Sequence, residues 1–556
     1  MIRHLLRTEP LARPLLLCLA ATFAVVFTYN IADPDLWGHV RYGQHMLERG
    51  HIFATDPYSY LSHGVPWINH ELLCEFTLGF IEPRLGPPWL LAWKCLMGLL
   101  LVLAIVWAHR DAEWCATTVV LIGVLLSLTL WPGWTIRPHL FTYVFLSFQG
   151  LIMTEHARGN RRALWFVPPL MVAWTNAHGG FVAGLGVFGV HLLFALCEEA
   201  RRRSSGWGIR SIEMTAAGIA ATAAMLINPY GPRLLTWVWD SLTWPRPEIS
   251  EWWPVPILSL EYLPFKLLVA LTLISLALSR RERRWSRVTI LLVAALQAFI
   301  HRRHTPLFAI LAAYWLPEHL NDCVKRFRVW MRSRANLSII DARTLRLHRT
   351  VLGCLTIVLF VVAAIQLRSV RVERAVFPVA AFEFIQERGL EGRMVTEFNW
   401  GQYCLYAFWP RILVSVDGRF DTSYSRPVLD VNLDFIMGDH AKWRNRSPET
   451  GPFRADRVLD VGNPNLALVD RQRTECVRVI EQRTDWVLLY QDALAQVWGR
   501  RSVYDDPASA RYMPPAARSI SDETQIGWAD YPALPGFAEA RPRFDRLENE
   551  KRGELP

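Results

Sequence analysis

Apolar runs separated by short charged clusters fill the first two thirds of the chain. They fall near 15–32, 88–108, 115–132, 139–155, 163–177, 180–198, 212–228, 264–279, 288–300, 305–319 and 350–367. A helix that crosses a bilayer needs about 20 mostly apolar residues. The pattern therefore predicts a polytopic α-helical membrane protein with about 11 transmembrane helices. From about residue 368 the pattern changes to short strand-like runs between polar helices. Strands are expected at 393–398 and 412–416 with a helix near 401–408 between them, and a terminal hairpin at 485–490 and 493–498. This part reads as a small extracytoplasmic α/β domain over 368–500, and the Pro-, Arg- and acid-rich stretch 501–556 as a largely irregular tail.

The charged clusters orient the runs. Arg3, Arg7 and Arg13 precede the first run without a small-x-small cleavage site before Asp33, which reads as an uncleaved first span. With that end in the cytoplasm, the inner loops hold 109–113, 158–162, 201–210, 280–287 and 325–349, and four of these five are rich in arginine. The carboxy-terminal domain then lies outside, as does a long first outer loop, 33–87. In that loop Asp35 is placed to cap a helix ending at Gly50. Leu36, Val40, Gly43 and Leu47 share one face, with His45, Glu48 and Arg49 elsewhere, the pattern of a helix lying in the membrane interface. A second short helix is expected from about 69 to 81.

Composition agrees with a membrane protein. Of 556 residues 52% are hydrophobic, 25 are Trp and the mean hydropathy is +0.16. The net charge of +10 sits in loops between spans, which points to membrane topology and not to nucleic acid. Nine cysteines show no CxxC spacing; Cys74, Cys404 and Cys476 fall on the outer side, where one disulfide would fit.

The candidate chemistry clusters on the outer side. Asp33 and Asp35 end the first run directly, and intramembrane or boundary carboxylates are costly unless they reach water or serve a site. Either would act as a general base on an acceptor hydroxyl or ligate a divalent cation. His39 and Arg41 follow them. His70 and Glu71, with Asp56 upstream, offer a second acidic group; HE without a second helically spaced His is not a zinc-protease motif. Arg137, His139, His178, Arg233 and the run His301–Arg302–Arg303–His304 recur at outer span ends, against the positive-inside bias. As a set they suit an anion such as a lipid phosphate, because Arg binds phosphate oxygens in pairs. In the outer domain, Asp417, Arg419 and Tyr424 lie at the end of a predicted strand.

These residues occur in short motifs: DPDLWGH at 33–39, DPYS at 56–59, PWINHE at 66–71, RPHLF at 137–141, NAHGGF at 176–181, NPYG at 228–231 and RRHTPLFA at 302–309. In this order they resemble the GT-C class of polytopic glycosyltransferases, which use polyprenyl-phosphate-linked sugars and carry an essential acid in the first outer loop. WGQY at 400–403 followed by PRILVSVDGR at 410–419 resembles the outer-domain pattern of oligosaccharyltransferase catalytic subunits. There a WWDYG motif stands where this chain has Asn399 to Tyr403, without the acidic residue. The resemblance implies a catalytic role for Asp33 or Asp35, with Glu71 the candidate second acid. It implies substrate binding by His39, Arg41, Asp56, His70, Arg137, His178, Arg302, Arg303, Asp417 and Arg419. A divalent cation, Mg or Mn, would sit on Asp33 and Asp35 if one is used. The implied partners are a polyprenyl-phosphate-linked sugar, membrane lipids and a glycan, lipid or protein acceptor, in a bacterial inner membrane and with no nucleic acid. Rival readings are a non-catalytic membrane scaffold in cell-envelope assembly and a lipid-linked glycan ligase or transporter, although no inverted repeat supports the last.

Overall fold

Most of each predicted apolar run is helical in a computed structural model of the chain, which describes residues 1–201, 208–334, 341–439 and 444–534; the run 15–32 leaves its helix after Phe27, and those at 163–177 and 305–319 are each divided between two helical elements. Four of these helices are long and apolar enough to cross a membrane: Pro88–Ala108, Ala116–Gly133, Phe181–Arg201 and Ala342–Gln366. The chain is a multi-pass membrane protein on that ground. Ala12–Phe27, Leu263–Leu278 and Trp285–Ile300 are apolar but shorter. The expected number of about eleven full spans is therefore not what helix length gives among the described residues. Proline accounts for some of the shortening. Pro168 and Pro169 open the helix Val167–Thr175, and Pro317 separates Thr305–Trp315 from Pro317–Arg334. Proline lacks the N–H a helix interior needs and is tolerated in the first turn.

The chain divides into two compact units. One is built from Met1–Asn30 with Asn69–Arg368, the other from Ile31–Ile68 with the chain from Ser369 onward. The first outer loop is thus shared: its first half belongs to the α/β unit.

Within the helical unit the loops segregate to two ends. At one end Arg328 pairs with Glu9 at 3.0 Å, Arg110 with Glu155 at 3.1 Å, Arg161 with Glu213 at 2.7 Å and Arg287 with Glu318 at 3.2 Å. The Cys115 N–H donates to Asn321 Oδ1 and the Arg280 N–H to Asp322 Oδ2, both at 2.9 Å. Each member comes from the amino terminus, from a loop expected on the inner side, or from the end of a predicted run next to such a loop. At the other end the Asn69 N–H donates to the Tyr230 hydroxyl (3.0 Å), the Leu73 N–H to the Asn176 carbonyl (2.8 Å) and Asn176 Nδ2 to the Ile227 carbonyl (2.9 Å). Those loops are the ones expected outside.

The α/β unit centres on a sheet of order β3-β2-β4-β6-β5-β7, where β2 is Gly392–Val395, β3 Ile412–Val414, β4 Leu466–Asp470, β5 Trp486–Gln491, β6 Ala495–Arg500 and β7 Ser519–Ile520; β1, Arg371–Glu373, lies outside it. β2 is parallel to both β3 and β4, so it needs crossovers, and the helix Gly401–Phe408 supplies the one to β3. β5 and β6 form the expected antiparallel hairpin. Val395, Ala467, Val469, Val479, Ile480, Trp486 and Trp498 build a core on one side of it. The first-loop segment joins this unit by backbone pairing: the Ala32 N–H donates to the Arg371 carbonyl (2.8 Å), Tyr60 to Val414 (3.0 Å) and Ile68 to Thr422 (3.2 Å).

Three expectations change here. The helix Leu36–Arg49 is not an amphipathic helix facing a membrane interface; His45 on its supposedly polar side is 2% exposed and Leu47 on its apolar side is 38% exposed. It is packed into the α/β unit, where the Trp37 ring lies tilted against those of Phe377 and Tyr403. The stretch after 501 is not irregular as far as 534. β7 pairs with β5, Trp528–Asp530 pairs antiparallel with Arg371–Glu373, and the Trp37 indole donates to the Pro532 carbonyl (3.1 Å). Residues 535–556 lie outside the described residues. All nine cysteines are free thiols; Cys404 lies 3.8 Å from the Met394 sulfur and the Cys476 thiol donates to the Phe435 carbonyl.

Candidate functional site

The acid pair stands at the head of the helix Leu36–Arg49. Asp33 Oδ1 accepts the Asp35 N–H at 3.0 Å, a tight Asx turn that sets Asp35 at the N-cap position. The Asp35 carbonyl then takes the His39 N–H at 3.1 Å. The first-turn N–H groups of a helix favour an anion beside them. The Asp35 side chain makes no capping bond to its own helix. Its Oδ1 lies against Gly418, where any Cβ would overlap it. A Cβ on Gly418 would also come within 2.7 Å of Gln402 Nε2, and one on Gly38 would overlap the same Gln402 amide. Two glycines, one from DPDLWGH and one from VDGR, thereby let the Gln402 side chain lie between the motifs. Gln402 is 2% exposed and its Oε1 is buried without a hydrogen bond. The sequence marked Gln402 only as one of five residues, Asn399 to Tyr403, that lack the acid of a WWDYG motif; its place beside Asp35 had no signal in spacing.

His39 is buried on the same helix, and Arg41 Nη1 donates to Gln44 Oε1 at 3.4 Å. Asp56, Asp417 and Arg419 come together in a different arrangement from the expected substrate site. Arg419 Nε donates to Asp417 Oδ1 (2.9 Å), Nη1 to Asp56 Oδ1 (2.8 Å), and Nη2 to Asp56 Oδ2 (3.1 Å), Asp417 Oδ2 (2.7 Å) and the Tyr424 hydroxyl (3.0 Å). The rings of Tyr42, Tyr58, Trp67 and Tyr424 surround the guanidinium with centroids at 4.9–5.5 Å. Burial works against the charged guanidinium, and Asp417 and Asp56 outweigh it, so the Arg419 pKa stays raised. The side chains of the two aspartates are 0% exposed and that of Arg419 4%. With its fork committed to two carboxylates inside an aromatic box, this trio is a buried clamp between the first loop and the VDGR strand end, and not a ligand-facing surface.

In the helical unit, Glu71 precedes the helix Leu72–Leu85; its N–H donates to Asn69 Oδ1 at 3.0 Å and its carboxylate lies 3.8 Å from His70 Nε2. The His70 ring packs on Trp237 (4.7 Å between centroids), and Gly179 lies beside it. His178 is held by the Thr142 hydroxyl at 2.8 Å and by the Gly180 N–H at 3.1 Å; Gly180 is required there because a Cβ would overlap Thr142. His139 lies 6.4 Å from His178, ring to ring.

Beside them lies a cationic group that the sequence showed only in part. Arg137 Nη1 donates to Glu251 Oε1 at 2.6 Å, and Arg137 with Arg303 holds the Glu251 carboxyl down at about 2 although burial opposes them. Arg303 lies over the Trp252 ring at 4.7 Å, and Arg246 over the same ring at 4.8 Å. Arg303 makes no hydrogen bond or ion pair to any described residue. Burial lowers its pKa, with Glu251 opposing. Arg302, one residue away, is engaged: it pairs with Glu261 at 3.2 Å and lies over Trp253 and Tyr262. Glu251, Trp252 and Arg246 were missed because nothing in the sequence ties 246–252 to 303 across two intervening helices.

No protein-family model matches the chain, and no curated protein is similar to it. Among solved structures, the chain is similar to the Archaeoglobus fulgidus oligosaccharyltransferase tethered with an acceptor peptide containing the NVT sequon, at 11% identity, with 88% of this chain and 74% of that one covered and a TM-score of 0.49. It is similar to the archaeal oligosaccharyltransferase AglB of Archaeoglobus fulgidus in complex with an inhibitory peptide and a dolichol-phosphate, at 11% identity over 83% and 70% of the two chains, TM-score 0.49. The third is ArnT from Cupriavidus metallidurans bound to undecaprenyl phosphate, at 12% identity over 91% of this chain and 99% of that one, TM-score 0.46.

Proposed function

We propose that this chain is a GT-C-like enzyme that transfers a sugar from a polyprenyl-phosphate donor to an acceptor at the outer face of a bacterial inner membrane. The observation that carries the reading is Arg303. A half-buried guanidinium with no hydrogen bond or ion pair to a described residue, with Glu251 acting on it only through space, sits on an indole beside the Arg137–Glu251 pair, at an end of a unit built of apolar helices. A lipid-borne phosphate suits such a place, because its oxygens replace the missing acceptors and its chain lies along apolar helices.

In this reading the acceptor hydroxyl oxygen attacks the sugar C1, and the C1–O bond to the phosphate breaks. The hydroxyl proton passes to the carboxylate of Asp35 or Asp33, and polyprenyl phosphate leaves with the bonding electron pair. Arg303 and Arg137 stabilise the phosphate charge that develops, so no strong acid is needed at the leaving group. The oxygen donors of Asp33 and Asp35 match the preference of Mg or Mn for hard ligands. A cation held by them would supply positive charge next to the acceptor oxygen.

Complementation of a deletion strain with Asp33→Asn, Asp35→Asn and Arg303→Gln, with membrane levels checked by blot and surface glycans profiled by mass spectrometry, tests this. Loss of one glycan at normal protein levels is expected, with a rate drop of about 10²–10⁴ for the residue that serves as base. Unchanged glycans for all three variants would overturn the reading and favour a scaffold.

A further inference from the structure

The helix Pro317–Arg334 changes character halfway along. Its first half is buried against the helical unit: His319 and Leu320 are 3% exposed and Asn321 5%. From Lys325 onward it emerges. Phe327, Val329 and Trp330 are 60%, 68% and 48% exposed, with Lys325, Arg326 and Arg334 exposed among them. At 100° per residue, Phe327, Trp330, Met331 and Arg334 fall on one side of this half-helix and Lys325, Arg328 and Val329 on the other. The Phe327 and Trp330 rings stack at 5.8 Å, and Arg334 lies over Trp330 at 5.4 Å.

A second exposed basic surface stands beside it. The helix Ala342–Gln366 opens with Arg343, Arg346, His348 and Arg349, all exposed, before its apolar length begins. The two surfaces meet at the same turn. Arg328 Nη1 pairs with Glu9 at 3.0 Å, and Arg349 Nη2 donates to the Pro10 carbonyl at 3.1 Å. Arg334 and Arg343 make no ion pair with a described residue, and Arg346 bonds only the Ala342 carbonyl of its own helix (3.2 Å).

We infer that residues 325–334 form an in-plane membrane helix that, with the first two turns of Ala342–Gln366, binds anionic phospholipid headgroups. The partner is fixed by chemistry. Exposed aromatic rings on one side, with Arg334 laid over Trp330, and Lys325 and Arg328 opposite them, suit a helix lying in the headgroup layer. The basic residues lie where an apolar span begins, so their charges sit at headgroup depth while Phe327 and Trp330 reach the acyl boundary. A water-soluble protein partner has no counterpart in that placement, because the apolar length of the adjoining helix is 11% buried and needs a bilayer beside it.

Hydrogen exchange of the full-length protein in nanodiscs tests this. Discs of phosphatidylcholine alone are compared with discs in which a third is phosphatidylglycerol, at two protein concentrations. Exchange of the amides at 325–334 is expected to slow in the phosphatidylglycerol discs. Arg334→Gln with Arg343→Gln should reverse the slowing, by about fivefold per arginine. Phe327→Ser with Trp330→Ser should abolish protection while amides of Pro88–Ala108 exchange as in the wild type, which shows that the fold is kept. Equal exchange in the two lipids would overturn the proposal. So would protection that follows protein concentration, which would make the surface a contact between copies, or protection that the charge variants leave unchanged.

Discussion

The buried ion cluster around Arg419 is where single residues matter most to the α/β unit. Removing the arginine leaves the carboxylates of Asp56 and Asp417 together, both fully buried and without their cation. Breaking a buried pair in this way costs about 3–5 kcal/mol. Arg419→Gln should therefore lower the melting temperature and the membrane level of the protein sharply. Arg419→Lys should recover only part of that loss, since an ammonium has three N–H donors where the planar fork makes five hydrogen bonds. Thermal melts of the purified variants read both effects.

Glu397 makes a second case, this one with a pH signature. Burial pushes its carboxyl up to about 7, with Arg473 and the backbone N–H of Asn399 opposing. A folded value above the unfolded one means that its contribution to stability is fully present below about 4.3, the unfolded carboxyl value. That contribution is lost as pH rises through about 7. The size is about 4 kcal/mol for a group this well buried. Melts from pH 4.5 to 8 should show this decline, and Glu397→Gln should flatten it, because the amide oxygen still accepts the Asn399 N–H. A wild-type profile no steeper than that of the variant would exclude the effect.

Two glycines link the elements of the acid site, and they make its packing testable without touching an acid. Gly418→Ala would drive a methyl into Asp35 Oδ1 and Gln402 Nε2. Both are side-chain ends, so the fold should survive while the carboxylate is displaced. A displacement near 1 Å at a reacting group costs about 10²-fold in rate. Gly401→Ala meets the Val416 carbonyl and Asp417 Cα, which are backbone and cannot step aside. It should destabilise the unit by about 1–3 kcal/mol or more. If both alanine variants lose activity only in proportion to their melting temperature, the glycines hold the fold and not the acid.

The elements that the sequence disclosed are those with a local pattern. The helix Gly401–Phe408, the β5–β6 hairpin and the helix beginning after Asp35 follow from turn residues and periodicity. β4 was missed: all but its last residue is buried, so LALVD shows no alternation to read. The pairing of Ile31–Ile68 with the chain beyond Ser369 is a contact across more than half the sequence and leaves no local trace. The acids were legible because charges at the end of an apolar run are costly. Gln402 and Gly418 were not, because their meaning lies in what they touch. Arg419 shows the opposite error: a conspicuous arginine among acids reads as a ligand site until its partners are found to be one another.

At the scale of the whole molecule, segregation of the loops is the strongest check on membrane topology. Loops placed inside by arginine count are tied together by their own ion pairs at one end of the helical unit, and loops placed outside meet at the other. Charge bias and contact geometry are independent, since the first counts residues and the second joins partners. Their agreement makes sidedness testable with two exposed positions, Asn160 at the arginine-rich end and Ser259 at the other. In a variant whose native cysteines are replaced by serine or alanine and which still complements, Ser259→Cys should react with a membrane-impermeant maleimide in cells whose outer membrane alone is opened. Asn160→Cys should react only after the inner membrane is broken. Labelling of both from the same side would contradict the two-ended arrangement. The reverse order would keep the arrangement and invert the chain, which would put Arg303 in the cytoplasm and with it the proposed phosphate. The arginine-rich end would then face outward, against the bias that normally orients such loops, so the expected order is Ser259 outside.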